Sequence, residues 1–284
     1  MPGSRLRAFA QVDVFASTPL GGNPVAVVLD ADDLDEERMA AFARWTNLSE
    51  TTFVLPAEDG TADYRLRIFT PGGELPFAGH PTLGSAHAWL AAGGLPRDAD
   101  LLVQACAAGP VKVRRGAAPS SLAFAAPPTL RSGPLDDELL HRVTTALRVP
   151  ADAVLAHQWV DNGPGWSAVQ LASADAVLAL EPDFSAARDL KVGVLGRYPD
   201  GHPLRWEVRA FAPALGVGED PVTGSLNASV AQWLLREGRT PSRYRVGQGR
   251  RVGRSGIVEI EQDAAGTVWV GGTTTTLVQG TVTL

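Results

Sequence analysis

Cysteine is nearly missing from this 284-residue chain: Cys106 is the only one. That excludes an intrachain disulfide framework and any metal site built from several thiolates. No stretch approaches the roughly 18 to 20 apolar residues that span a bilayer, and Gln11 and Asp13 interrupt any apolar leader near the N-terminus. Positive charge is in deficit, 25 Lys+Arg against 31 Asp+Glu for a net −6, which argues against nucleic acid as the main partner. No GxxxxGK[ST] phosphate loop, HExxH metal pair or GxSxG nucleophile elbow occurs, and Gly21-Gly-Asn-Pro24 lacks dinucleotide spacing. The five histidines (80, 87, 141, 157 and 202) have no ligand-like spacing, so neither a metal nor another cofactor is expected. A cytoplasmic globular protein that engages no membrane is the expectation.

What is present is apolar patterning, with 45% hydrophobic and 20% charged residues, enough to fold into one large domain or two of about half the length. Alternation with period two marks strands at 11–15, 25–29, 64–69, 111–114, 205–211, 257–261 and 267–270. Helical spacing places Met39, Phe42 and Ala43 on one face of 33–45, opened by an Asp33/Glu36 capping box. It places Leu139, Leu140, Val143 and Leu147 on one face of 135–147. The class is α+β and strand-rich.

Two helical segments, 81–92 and 221–235, contain no Asp, Glu, Lys or Arg. A surface helix keeps a charged face, so these two should be wrapped on all sides. Proline opens each, at a position where its missing N–H costs nothing, which places His80 and Asp220 as N-caps. Pro81, Gly84, Ser85, Ala88 and Ala91 recur at an offset of 140, and upstream Arg67, Phe69 and Pro71 recur at 142. An offset near half the length predicts two similar halves: 1–125, carrying Glu50 and His80, and 126–284, carrying Asp220 and Ser225, the last strand being free to return to the first half.

Helix N-termini present unpaired N–H groups and partial positive charge, so a carboxylate-bearing ligand held by both would lie in a cleft between halves. On spacing alone Asp220 reads equally as an ordinary cap, His80 as a loop residue and Glu50 as a solvated turn carboxylate. The arginines at 243, 245, 250, 251 and 254 read as a solvated face, His87 as a packed core residue and Cys106 as packed.

In order along the chain, Asp13-Val-Phe, Pro19-Leu-Gly-Gly-Asn-Pro-Val-Ala-Val-Val28, Asn47-Leu-Ser-Glu-Thr-Thr-Phe-Val54 and Glu74-Leu-Pro-Phe-Ala-Gly-His-Pro-Thr-Leu-Gly84 are followed by Asn162-Gly-Pro-Gly-Trp166 and Gly218-Glu-Asp-Pro-Val-Thr-Gly-Ser225. With them the sequence resembles the phenazine-biosynthesis isomerase (PhzF-like) family of the diaminopimelate epimerase-like fold. The resemblance implies two pseudo-symmetric halves, each a rolled, mostly antiparallel sheet around a central helix, an active site between them, and a homodimer. It makes Glu50 the acid/base, with His80 and Asp220 as further catalytic groups. Gly79, Gly224 and Ser225 become substrate-binding. Related epimerases and racemases use two thiols, near residues 80 and 220. His80 and Asp220 stand there instead, and one cysteine cannot serve twice.

The expected reaction is therefore a cofactor-independent, biosynthetic isomerisation. Glu50 takes a C–H proton from a small unsaturated carboxylate or amino acid and returns it to another carbon, provided partial burial lifts its pKa toward neutrality. Epimerisation or a lyase step on a small amino acid, or non-catalytic binding, are the alternatives.

Overall fold

In a computed structural model, the structure describes residues 4–58, 60–213 and 217–284, with the side chain of Val217 excepted. The chain divides into two compact units, 1–125 with 271–284, and 126–270. The fold is mixed α/β and dominated by sheet.

Unit one opens with β1 (Leu6–Val14), β2 (Asn23–Val28), α1 (Glu36–Thr46), β3 (Glu50–Leu55), β4 (Tyr64–Thr70) and β5 (Gly73–Leu75). Then come α2 (Gly79–Ala91), β6 (Leu101–Cys106), β7 (Gly109–Arg115) and β8 (Ser121–Ala125). The strands hydrogen-bond in the order β1-β2-β3-β4-β6-β7-β8-β16, and β16 (Val268–Thr283) pairs back onto β1. The ring closes around α2, which touches β1, β2, β3, β4, β6 and β8. Enclosure explains why α2 carries no charge: from Gly79 to Ala86 it is buried on every side and has no solvent face to keep wet. Gly84 is what lets it fit, since a Cβ there would collide with Val25 and lie 3.2 Å from Val14 Cγ2. On the outside, α1 lays Met39, Phe42 and Ala43 against Phe53, Leu55 and Phe69.

Unit two runs α3 (Asp137–Leu147), β9 (Ala156–Trp159), β10 (Ser167–Leu171), α4 (Ala174–Leu178), β11 (Val192–Arg197), β12 (Trp206–Ala212) and β13 (Val217–Asp220). It continues with α5 (Gly224–Arg236), β14 (Arg243–Gln248), β15 (Gly256–Gln262) and the first residues of β16. The order is β16-β15-β14-β12-β11-β10-β9. The segment after residue 125 stitches the ends together, Ala126 N–H bonding Val268 O at 2.8 Å and Leu130 N–H bonding Asp161 O at 2.7 Å. Val143, Ala146 and Leu147 of α3 and Val177 of α4 cover Val169, Val192, Val194 and Phe211, with Leu139 and Leu140 packed beside them. α5 is buried along most of its length.

Several sequence expectations need correction. The first helix is capped by Asp35, whose side chain accepts from Arg38 N, and starts at Glu36; Asp33 instead holds Arg7 at 2.6 Å. Neither His80 nor Asp220 is an N-cap. α2 starts at Gly79 after Ala78, which leaves His80 in its first turn with Pro81 next. That still costs the proline nothing, because all first-turn N–H groups lack intrahelical partners. α5 starts at Gly224 after Thr223, and Asp220 ends β13. The two helices therefore begin 145 residues apart (224 − 79), not 140. In that register Gly73, Glu74, Pro76 and Gly79 meet Gly218, Glu219, Pro221 and Gly224, while Ser225 stands opposite His80. Upstream the offset of 142 holds, since β4 and β12 start at residues 64 and 206.

Candidate active site

Glu50 is the first residue of β3 rather than part of the turn before it. α1 ends on Asn47, whose left-handed conformation (φ 53°) turns the chain, a geometry Asn tolerates well. Three residues later β3 starts alongside β2, with Val25 beside Glu50. His80 reaches the same place from α2. The helix is fastened to β3 by Ser85 Oγ–H donating to Thr52 Oγ1 at 2.8 Å. It is fastened to the opposite strands by Gln104, which donates to Thr82 Oγ1 at 3.1 Å and accepts from Tyr64 OH at 3.1 Å. These struts leave His80 Nε2 3.3 Å from Glu50 Oε2, with side-chain exposures of only 5% and 15%.

Burial pushes His80 down to about 3, against a weaker opposite pull from its hydrogen bond to the Pro24 carbonyl. The ring is therefore neutral at pH 7. A carbonyl only accepts, so the nitrogen facing Pro24 carries the hydrogen, and Nε2, facing Glu50, presents a lone pair. A lone pair there can accept a hydrogen from a donor placed beside it. Gly79 stands at the mouth of α2, where Ala78 supplies no side-chain cap.

In unit two the structure brings Asp220, Gly224 and Ser225 together. Asp220 Oδ2 accepts from Thr223 Oγ1 at 2.6 Å. Gln248, fully buried, ties the turn. Its amide donates to Asp220 O (3.0 Å) and Thr223 Oγ1 (2.9 Å), and its carbonyl accepts from Thr223 N (3.1 Å) and Asn227 Nδ2 (2.8 Å). That network keeps 220–223 extended and delays the helix until Gly224. One residue upstream, Glu219 is gripped by both arms of buried Arg209 at 3.0 and 2.7 Å, and Arg209 Nη1 also donates to the carbonyls of Val177 and Leu180. Arg67 grips Glu74 in the same bidentate way in unit one, at 2.7 and 2.6 Å.

The profile of the family described as phenazine biosynthesis-like protein (PhzC-PhzF) matches residues 12–280. The chain belongs to that family. A Schizosaccharomyces pombe protein named antisense-enhancing sequence 1 is 35% identical over 292 residues, 96% of this chain and 97% of its own. The trans-2,3-dihydro-3-hydroxyanthranilate isomerase of Pseudomonas aeruginosa is 37% identical over 275 residues, 92% of each chain. Among solved structures, a PhzF-family protein from Enterococcus faecalis superposes with a TM-score of 0.79 at 26% identity, covering 99% of this chain and 100% of its own. A hydroxyproline epimerase from Agrobacterium vitis, at 14% identity, shares the fold with a TM-score of 0.60 over 100% of this chain and 94% of its own. The PhzC-PhzF family thus includes named isomerases, and its fold extends to amino-acid epimerases.

Side chains left open by the sequence take up structural places. His87 is bonded through both nitrogens, to Thr274 Oγ1 (3.0 Å) and Thr276 Oγ1 (3.1 Å). His157 accepts from Leu135 N at 3.0 Å, and His202 stacks on Tyr198. Arg243 and Arg245 pair with Glu261 and Glu259, and Arg251 with Glu181. Cys106 is half-buried, its thiol pushed up by burial and donating to Gly109 O at 3.3 Å. No helix among the described residues is long and apolar enough to cross a membrane. The sequence marks Arg209 only as the repeat of Arg67 and gives no sign of Gln248, which is hidden among the arginines, or of Trp166, which lies inside the Asn162–Trp166 motif.

Proposed function

We propose that this chain is a cofactor-independent isomerase that moves a proton between carbons of a small unsaturated carboxylate, with Glu50 as the acid/base. One observation carries the reading: the buried, neutral imidazole of His80 lies 3.3 Å from the Glu50 carboxyl. A group that shuttles a proton must be stable with it and without it. His80 serves the first state by accepting from the protonated acid, and the first-turn N–H groups of α2 offset charge that develops on substrate. Asp220 is read as a further proton-handling group, and Gly224 and Ser225 as ligand donors. The two units are read as two copies of one rolled-sheet plan, since their strand pairings and Arg–Glu grips match. The relative from Pseudomonas aeruginosa names a substrate class, a cyclic dienyl amino acid bearing a hydroxyl, and a biosynthetic role would follow from it.

A non-catalytic binder of the same fold is the competing reading, favoured by the Schizosaccharomyces pombe relative, whose name describes no reaction. Incubation of trans-2,3-dihydro-3-hydroxyanthranilate with the protein in deuterium oxide, followed by NMR, separates the two. The isomerase reading expects deuterium at a carbon that gains hydrogen as the double bond shifts, and loss of at least about 10²-fold in rate for Glu50→Gln. Label at an unmoved stereocentre would mean epimerisation instead. Turnover that survives Glu50→Gln would overturn the assignment of Glu50.

A further inference from the structure

Ser225 sits in the first turn of α5, 8% exposed, and Trp166, 3% exposed, points its indole nitrogen at the serine hydroxyl at 3.0 Å. An indole N–H donates and never accepts, so Ser225 Oγ is the acceptor in this bond. Among the described residues that hydroxyl donates to no protein acceptor, although a serine inside a helix commonly bonds back to a carbonyl in the preceding turn. Ser229 does so within this helix, donating to Ser225 O at 3.1 Å. Asn162 Nδ2 fixes the same carbonyl at 3.0 Å, so the backbone that carries the hydroxyl is held from two sides. Thr223 supplies no side-chain cap to α5, and the first-turn N–H groups beside the hydroxyl are donors as well. The Ser225 hydroxyl hydrogen and these N–H groups are donors set side by side at the start of α5.

We propose that Trp166 is a positioning residue that fixes the polarity of Ser225. By occupying one of the hydroxyl's two lone pairs, it turns the O–H away from the indole and leaves it free to donate, and so favours a carboxylate over a neutral, hydrogen-donating group of the same shape. A free serine hydroxyl can turn to accept from a carboxamide; one already accepting from an indole is poorly placed to do so. The inference rests on the reading of Ser225 as a ligand donor.

The probes are 3-hydroxyanthranilate, the stable aromatic counterpart of the relative's substrate, and its carboxamide, 2-amino-3-hydroxybenzamide. Calorimetric Kd values would be measured on the full chain and on Trp166→Phe, Ser225→Ala and the double variant. Each single change should weaken acid binding about tenfold, and the double variant should be no weaker than either. The preference for acid over amide should shrink by about the same factor in Trp166→Phe, which mere loss of packing would not produce. Multiplied losses in the double variant, or an unchanged preference, overturn the role of Trp166. Unchanged acid binding in Ser225→Ala removes Ser225 as a ligand donor, a failure of the functional reading itself. If Trp166→Phe does not fold, or the wild type ignores both probes, NMR of the indole N–H decides. Ser225→Ala should move that resonance upfield and speed its solvent exchange; an unmoved signal overturns the proposal.

Discussion

The histidine 3.3 Å from the Glu50 carboxyl carries no charge near neutrality. His80 would normally titrate near 6.5 but is held down to about 3 by burial. Between those values the unfolded chain binds a proton that the folded chain refuses, so stability rises with pH through this window and is lost as pH falls below about 6.5. One such group gives a slope of at most about 1.4 kcal/mol per pH unit. Urea titrations at a series of pH values should show this slope, and His80→Asn should flatten it between pH 6.5 and 4. An unchanged slope in the variant would mean the proton is taken elsewhere. At this scale the sequence was legible where chemistry is tied to a motif: Glu50 and His80 do meet. It was opaque where a role depends on what touches a residue. Nothing in the string shows that Trp166 aims its N–H at Ser225, or that Asp33 is taken by Arg7 and leaves the cap to Asp35.

Elements were easier to find than their ends. Strands expected at 64–69 and 205–211 appear at Tyr64–Thr70 and Trp206–Ala212; the first half of β4 alternates buried and half-buried residues, whereas β12 is buried on both faces, its alternate polar residues Glu207 and Arg209 being held by Tyr198 and Glu219. The start of α2 was displaced because proline tolerates the whole first turn, whereas Pro221 lies ahead of the Thr223 cap of α5 altogether, so proline marks a region rather than a residue. The absence of charge in α2 was the stronger clue and follows from enclosure by strands. That enclosure makes Gly84 sensitive. A methyl group there meets Val25 and presses on Val14, and overpacking of a closed core costs typically about 1 to 3 kcal/mol. Gly84→Ala should lower the urea midpoint accordingly, even though alanine is the better helix former by about 1 kcal/mol. A midpoint equal to or above that of the wild type would show that the ring yields.

Across the whole molecule, one strand belongs to both units. Val268–Val270 lie in unit two, and the chain from Gly271 onward lies in unit one, where β16 pairs with β1 from Leu6↔Thr283 to Val14↔Thr274. This long strand was only partly visible in the sequence. It opens on the buried apolar run Val268-Trp269-Val270, but 273–276 is a run of four threonines and 277–283 is largely exposed, a pattern that carries no core signal. Its reason is topological: β1 has β2 on one edge and needs a partner on the other, because an unpaired edge leaves backbone N–H and C=O groups open and invites aggregation. The final segment is thus a closing piece for unit one, supplied after unit two has been made. A chain ending at residue 270 should keep the strand pairings and the Asp220–Gln248 network of unit two while β1 loses its second partner. Hydrogen exchange read by mass spectrometry is expected to show protection lost first in peptides covering 6–14, with 206–212 and 224–236 protected as before. Adding a synthetic peptide of residues 271–284 should restore protection to β1. Equal loss in both units would mean that the strand is needed by the molecule as one cooperative whole rather than by the sheet it closes.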